Sequence, residues 1–180
     1  MKKTLIIVSA VVVIGIIVLV GTFPGSKQVV VAPTISTYEE CLAVGNAILE
    51  SYPEQCRTTD GRTFVRDIGN ELDKQSLILA SYPRPGDAVG SPLSITGTAR
   101  GYWFFEATFP VKMLDKSGAV IGSYYAQAQG EWMTEDFVPF TSTLTFQAVS
   151  GEKGTLILQK DNPSGLPEND DELRIPIIFN

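Results

Sequence analysis

Histidine is absent from all 180 residues. That removes the commonest general base, the Ser-His-Asp and Cys-His arrangements, and the usual catalytic zinc ligand sets. Cysteine is nearly absent: Cys41 and Cys56 are the only two, with no Cys-x-x-Cys between them. Positive charge is also short. Two of the fourteen cations, Lys2 and Lys3, precede the first apolar run, and all twenty acids follow it, leaving eight more acids than bases downstream. A chain so poor in basic patches is a poor candidate for binding nucleic-acid phosphates. These absences point away from an enzyme and away from nucleic acid.

What the chain has in plenty comes first. Residues 4–26 carry no charge, and Leu5 to Val20 is apolar almost without a break. A helix over Thr4–Thr22 would be roughly 28 Å long, close to the ~30 Å hydrocarbon core of a bilayer. Lys2 and Lys3 in front, against Lys27 behind, place the N-terminus in the cytoplasm. Residues 1–22 are therefore expected to be a signal anchor, single-pass, with everything beyond it extracytoplasmic. The alternative is a cleaved signal peptide, but the run is long and Leu19-Val-Gly-Thr-Phe23 lacks a clean Ala-x-Ala. Both readings export the rest.

Residues 23–37 read as a linker. Residues 38–70 hold both cysteines, fifteen positions apart, and in an exported chain Cys41 and Cys56 are expected to pair. Asp60-Gly61 suits a tight hairpin ahead of Arg62-Thr-Phe-Val65. This is a small disulfide-stapled module, too short for a substantial core of its own. Residues 71–76 are polar and read as a connector.

From Leu77 the apolar period becomes two and stays there. Leu77–Tyr82 is a first strand, closed by Pro83-Arg-Pro-Gly86. Leu93, Ile95, Gly97 and Ala99 share one face of the next. A long strand is expected from Trp103 to Met113, with Trp103, Phe105, Ala107, Phe109 and Val111 inward and Phe104, Glu106 and Lys112 outward. Asp115–Gly118 is a turn, after which Val120, Gly122, Tyr124, Ala126 and Ala128 are expected to face inward. Trp132–Phe140, Leu144–Ala148, Thr155–Gln159 and Leu173–Phe179 complete the count. About seven strands over residues 77–180, with no amphipathic helix, predict an all-β, antiparallel sandwich.

The stretch Ser91-Pro-Leu-Ser-Ile-Thr-Gly-Thr-Ala99, with Phe105-Glu-Ala107, Leu114-Asp-Lys-Ser-Gly118 and Leu156-Ile-Leu158, resembles the bacterial spore-germination immunoglobulin-like domain, often found beside the GerMN domain in envelope proteins. The resemblance spans about Leu77 to Asn180. It implies an immunoglobulin-like sandwich and an envelope setting, and it supplies no catalytic residues. No GerMN-like region accompanies it here, and the Cys41–Cys56 module lies outside it.

The candidate binding residues are Tyr102, Phe104 and Trp132, aromatics that strand alternation would leave off the core and free to stack on a ligand. Glu106 is expected to pair with Lys112 or Arg100. The oxygen-rich run Asp161–Glu172 lacks the spacing of a calcium loop and reads as a solvated loop. Arg57, Arg62 and Arg66 form the one basic concentration beyond the anchor. No cofactor or metal is expected. The reading is a non-enzymatic, membrane-anchored binding or scaffolding protein whose partner is an envelope protein or a cell-wall polymer. The alternatives are a glycan-binding module using those aromatics and a protease-inhibitor-like module presenting Ser51–Glu54.

Overall fold

The computed structural model describes residues 34–180. The expected anchor at 1–22 and most of the 23–37 linker lie outside the described residues. Among the described residues no helix is long and apolar enough to cross a membrane.

The chain first builds the disulfide module. Helix α1 (Tyr38–Ala43) starts where Thr37 accepts from Glu40 N, while the Glu40 carboxylate accepts from Thr37 N. This reciprocal cap satisfies amides that the first turn leaves open. The helix lies on a three-stranded sheet of β1 (Ala47–Leu49), β2 (Gln55–Arg57) and β3 (Thr63–Val65). Between them Tyr38, Cys41 and Cys56 are buried, with Ile35, Leu42 and Phe64 packed around. Cys41 and Cys56 form the disulfide. The β2–β3 hairpin turns at Asp60-Gly61, as its sequence predicts, with Gly61 in the left-handed region.

The connector at 71–76 is tied to both neighbours. It contains a one-turn helix, α2 (Glu71–Lys74), whose Glu71 is buried. Arg84 of the sandwich pairs with Glu71 at 2.7 Å, and Tyr52 of the module donates its hydroxyl to the same carboxylate. Asn70 accepts from Arg174 N at 2.7 Å and donates to Glu172 O at 2.9 Å. Residues 35–180 are accordingly one compact unit.

The main sheet has eight strands: β4 (Ile78–Tyr82), β5 (Ala88–Val89), β6 (Leu93–Arg100), β7 (Thr108–Leu114), β8 (Val120–Ala128), β9 (Phe137–Leu144), β10 (Lys153–Gln159) and β11 (Glu172–Phe179). Their order is β4-β6-β9-β8-β7-β10-β11-β5. The halves β4-β6-β9 and β8-β7-β10-β11-β5 join only where Gln127 and Ala128 pair with Thr141 and Phe140. That short join lets one sheet curl into a sandwich around a single core. Strand alternation supplies the core: Leu93, Ile95 and Ala99 from β6, Phe109, Val111 and Met113 from β7, Leu156 and Leu158 from β10, and Leu173, Ile175, Ile177 and Phe179 from β11. Phe140 packs edge-on to Phe109 at 4.9 Å between centroids. Gly97 makes room for it, since a Cβ there would stand 2.6 Å from the Phe140 ring.

The sheet departs from the sequence expectation in four places. The two-residue β5 pairs parallel to β11 and brings the count to eight. Trp132–Phe140 and Leu144–Ala148 are not two strands; one strand, β9, runs from Phe137 to Leu144. On β8 only Ala126 is buried, whereas Val120 and Tyr124 are exposed. A register shift between Met113 and Leu114 sets Ile121 rather than Val120 against the core, and β8 pairs with β9 only at Gln127 and Ala128. The fourth departure, at Trp103–Ala107, shapes the candidate site.

Candidate functional site

Four aromatics in a row, Tyr102 to Phe105, cannot all obey a period of two. The chain resolves this by leaving the strand. Gly101–Trp103 is a 3-10 turn, and strand β7 begins only at Thr108. The turn is set by Gly101, whose N–H donates to Asp136 O at 3.1 Å. A Cβ on Gly101 would lie 2.2 Å from Trp132 O and 2.0 Å from Thr134 O, so only glycine lets these two loops meet.

Between Phe105 and Thr108 the chain reverses in two residues. Phe105 N donates to Thr108 O at 2.9 Å and Thr108 N to Phe105 O at 3.0 Å. The central residues, Glu106 and Ala107, have φ of 48° and 62°. This left-handed pair is the backbone of a hairpin turn that Asn-Gly ordinarily fills. With Glu-Ala it carries strain, and such strain concentrates where a side chain must be presented.

The aromatics therefore sit differently from the expected alternation. Trp103 is fully buried, as expected, but Phe104 is buried as well, its ring 5.2 Å from Phe109. Phe105, assigned inward by alternation, is exposed at 42%. Phe104 therefore leaves the candidate patch and Phe105 takes its place. Tyr102 is exposed, as its sequence position suggests, and Trp132 is half-buried against the rim of the core. Met133, exposed at 74%, is a residue that sequence reasoning missed.

Tyr102, Phe105, Trp132 and Met133 thus come from two loops tied together at one end of the sandwich. The second loop is stitched by its own contacts: Glu131 accepts from Met133 N at 2.9 Å, and Thr134 N donates to Trp132 O at 2.8 Å. Arg100 secures its base, with the guanidinium 4.1 Å over the Phe137 ring and donating to Glu135 O and Ser76 O. Arg100 and Lys112 do not pair with Glu106; Lys112 donates to Gln159 at 2.7 Å instead. The charges exposed around the apolar residues are Glu106, Glu131, Glu135 and Asp136. Burial raises the Asp161 carboxyl above its ordinary range, and the charge of Glu106 adds to the effect.

Residues 77–165 match the family model of the immunoglobulin-like domain of bacterial spore germination. The domain belongs to that family. Beyond the match, β11 supplies the strand that completes the sheet of this immunoglobulin-like domain. No curated protein and no solved structure matches the chain significantly.

The other candidates, apart from exposed Arg57, are engaged within the protein. In the acidic loop that follows β10 of the immunoglobulin-like domain, Asn162 donates to Leu166 O and to Asp170. Among the described residues no three acidic or cysteine side chains converge as a metal site. In Ser51–Glu54, Tyr52 holds Glu71, and Glu54 accepts from Tyr38 and pairs with Arg66 at 2.9 Å. That loop fastens the module. Arg62 pairs with Asp60 at 2.9 Å.

Proposed function

We propose that this protein is a membrane-anchored extracytoplasmic binding module of the bacterial envelope, non-enzymatic, whose immunoglobulin-like domain meets its partner through the Tyr102–Phe105–Met133 end. One observation carries the reading: a strained Glu106-Ala107 turn leaves Phe105 exposed, and Tyr102 and Met133 are exposed on the two loops that meet at Gly101. Exposed large apolar side chains gathered on rigid loops mark interaction sites. The charge-free run at residues 4–26 supports the anchor, and the family supports the envelope setting.

A cell-wall glycan is the second reading, favoured by the exposed ring of Tyr102, with half-buried Trp132 on the neighbouring loop. Cosedimentation of the full chain with isolated cell-wall sacculi separates the two. Pelleting that a Tyr102→Ser, Trp132→Ser variant loses assigns the surface to the wall polymer. A wild-type chain left in the supernatant excludes the polymer and leaves an envelope protein as the partner.

A further inference from the structure

A cleft of about 240 Å³ lies where the disulfide module meets the sandwich, away from the end loops. Its walls are mostly apolar: Tyr38 and Leu42 from α1, and Pro176 and Ile178 from β11. The volume suits one large side chain rather than a cofactor, since small-molecule sites run from roughly 300 Å³ upward. The disulfide gives the cleft its wall, because Cys41 pins the helix that carries Tyr38 and Leu42.

The polar groups at the cleft are unevenly satisfied. Each acid already has a partner: Glu39 faces Lys153, and Asp67 accepts from Gly69 N at 2.9 Å. The cations have donors to spare. Arg66 uses Nη2 on Glu54, its Nε is buried without a partner, and its Nη1 faces Gly86 at the lip of the cleft. Lys153 has three donors and a single acidic partner at 3.4 Å. The donors left over at the mouth of this apolar cleft, on Arg66 Nη1 and Lys153, fit a carboxylate joined to an apolar group.

We propose that this cleft binds an apolar carboxylate of about one residue's size, with its apolar group between Leu42 and Ile178 and its carboxylate on Arg66 and Lys153. The chemistry has two sources, a free small acid or the C-terminal residue of a partner polypeptide. The proposal stands independently of the end-loop surface.

The test is titration of the full chain, held in mild detergent, followed by the methyl NMR signals of Leu42 and Ile178. The probes are 4-methylpentanoate and an acetylated tripeptide ending in leucine, each beside its amide. Saturable shifts with the acids are expected, with the amides weaker by about tenfold or more. A tripeptide that binds about tenfold tighter than the small acid assigns the site to a C-terminus, and equal affinity assigns it to a free acid. Leu42→Trp, which fills the cleft, is expected to abolish the shifts. Arg66 also holds Glu54, so Lys153→Gln, on an exposed side chain, provides the gentler variant and is expected to weaken binding several-fold. No saturable shift, equal affinity for acid and amide, or binding unchanged by Leu42→Trp overturns the proposal.

Discussion

Arg84 Nη1 stands 2.7 Å from Glu71 Oε1, and that contact joins the sandwich to the helix that leads in from the disulfide module. Glu71 is buried, and Arg84 and the Tyr52 hydroxyl are the polar partners of its carboxylate. Arg84 itself is about half exposed, which moderates the worth of the pair. Arg84→Ala is expected to cost about 1–3 kcal/mol in thermal denaturation, because a buried carboxylate loses its cation. Adding Glu71→Gln to that variant should recover part of the loss. A double variant less stable than Arg84→Ala would show that the carboxylate finds other compensation.

Burial, with the hydrogen bond to Glu71 behind it, pushes the Tyr52 hydroxyl up to about 12. The folded value lies above the ordinary tyrosine value of about 10, so the neutral phenol contributes stability that is whole below pH ~10 and lost as pH rises toward ~12. The melting temperatures of wild type and Tyr52→Phe should differ by a constant gap up to about pH 10, and the gap should then close. A gap independent of pH contradicts this.

Replacing Cys41 and Cys56 by Ser opens a loop of fifteen residues. The chain-entropy model puts the cost near ~3 kcal/mol. The loss should be local, since only Tyr38 joins the two cysteines as the module's buried hydrophobic core. Hydrogen exchange is expected to quicken in α1 and β1–β3 while β6, β7 and β10 keep their protection. Equal loss of protection in both regions would make the module part of the sandwich's folding unit.

The Glu106-Ala107 turn sets stability against presentation. Exchanging it for Asn-Gly places in the left-handed region the residues that tolerate it, and should stabilise the fold by ~1 kcal/mol, or about 2–4 °C in Tm. Partner binding should not rise with it if Glu106 takes part in contact. A lower Tm would mean that the turn is unstrained.

Periodicity made most of the sandwich legible. Leu93 to Ala99, Phe109 to Met113 and Leu173 to Phe179 alternate cleanly and face the core as the pattern requires. It failed where local rules were overridden. The aromatic run at 102–105 obscured the change from turn to strand, and the reversal at Glu106-Ala107 carries no Asn or Gly to announce it. As a result Phe104 and Phe105 exchange roles, and the candidate patch loses one and gains the other. On β8, alternation names a face but not whether another layer covers it. Tyr124 therefore stands in solvent although it shares a face with buried Ala126. The connector's order was hidden too, because Glu71, Arg84 and Tyr52 are far apart in the chain and read singly as surface residues.

On the proposed function, the Tyr102–Phe105–Met133 end makes the partner contact. The most direct measurement places a photocrosslinking residue at Phe105 in one full-length chain and at Val149, a still more exposed apolar position, in another, each expressed in the cell envelope. A discrete adduct is expected from position 105 and none from 149. No adduct from position 105, or the same adducts from both positions, would contradict it.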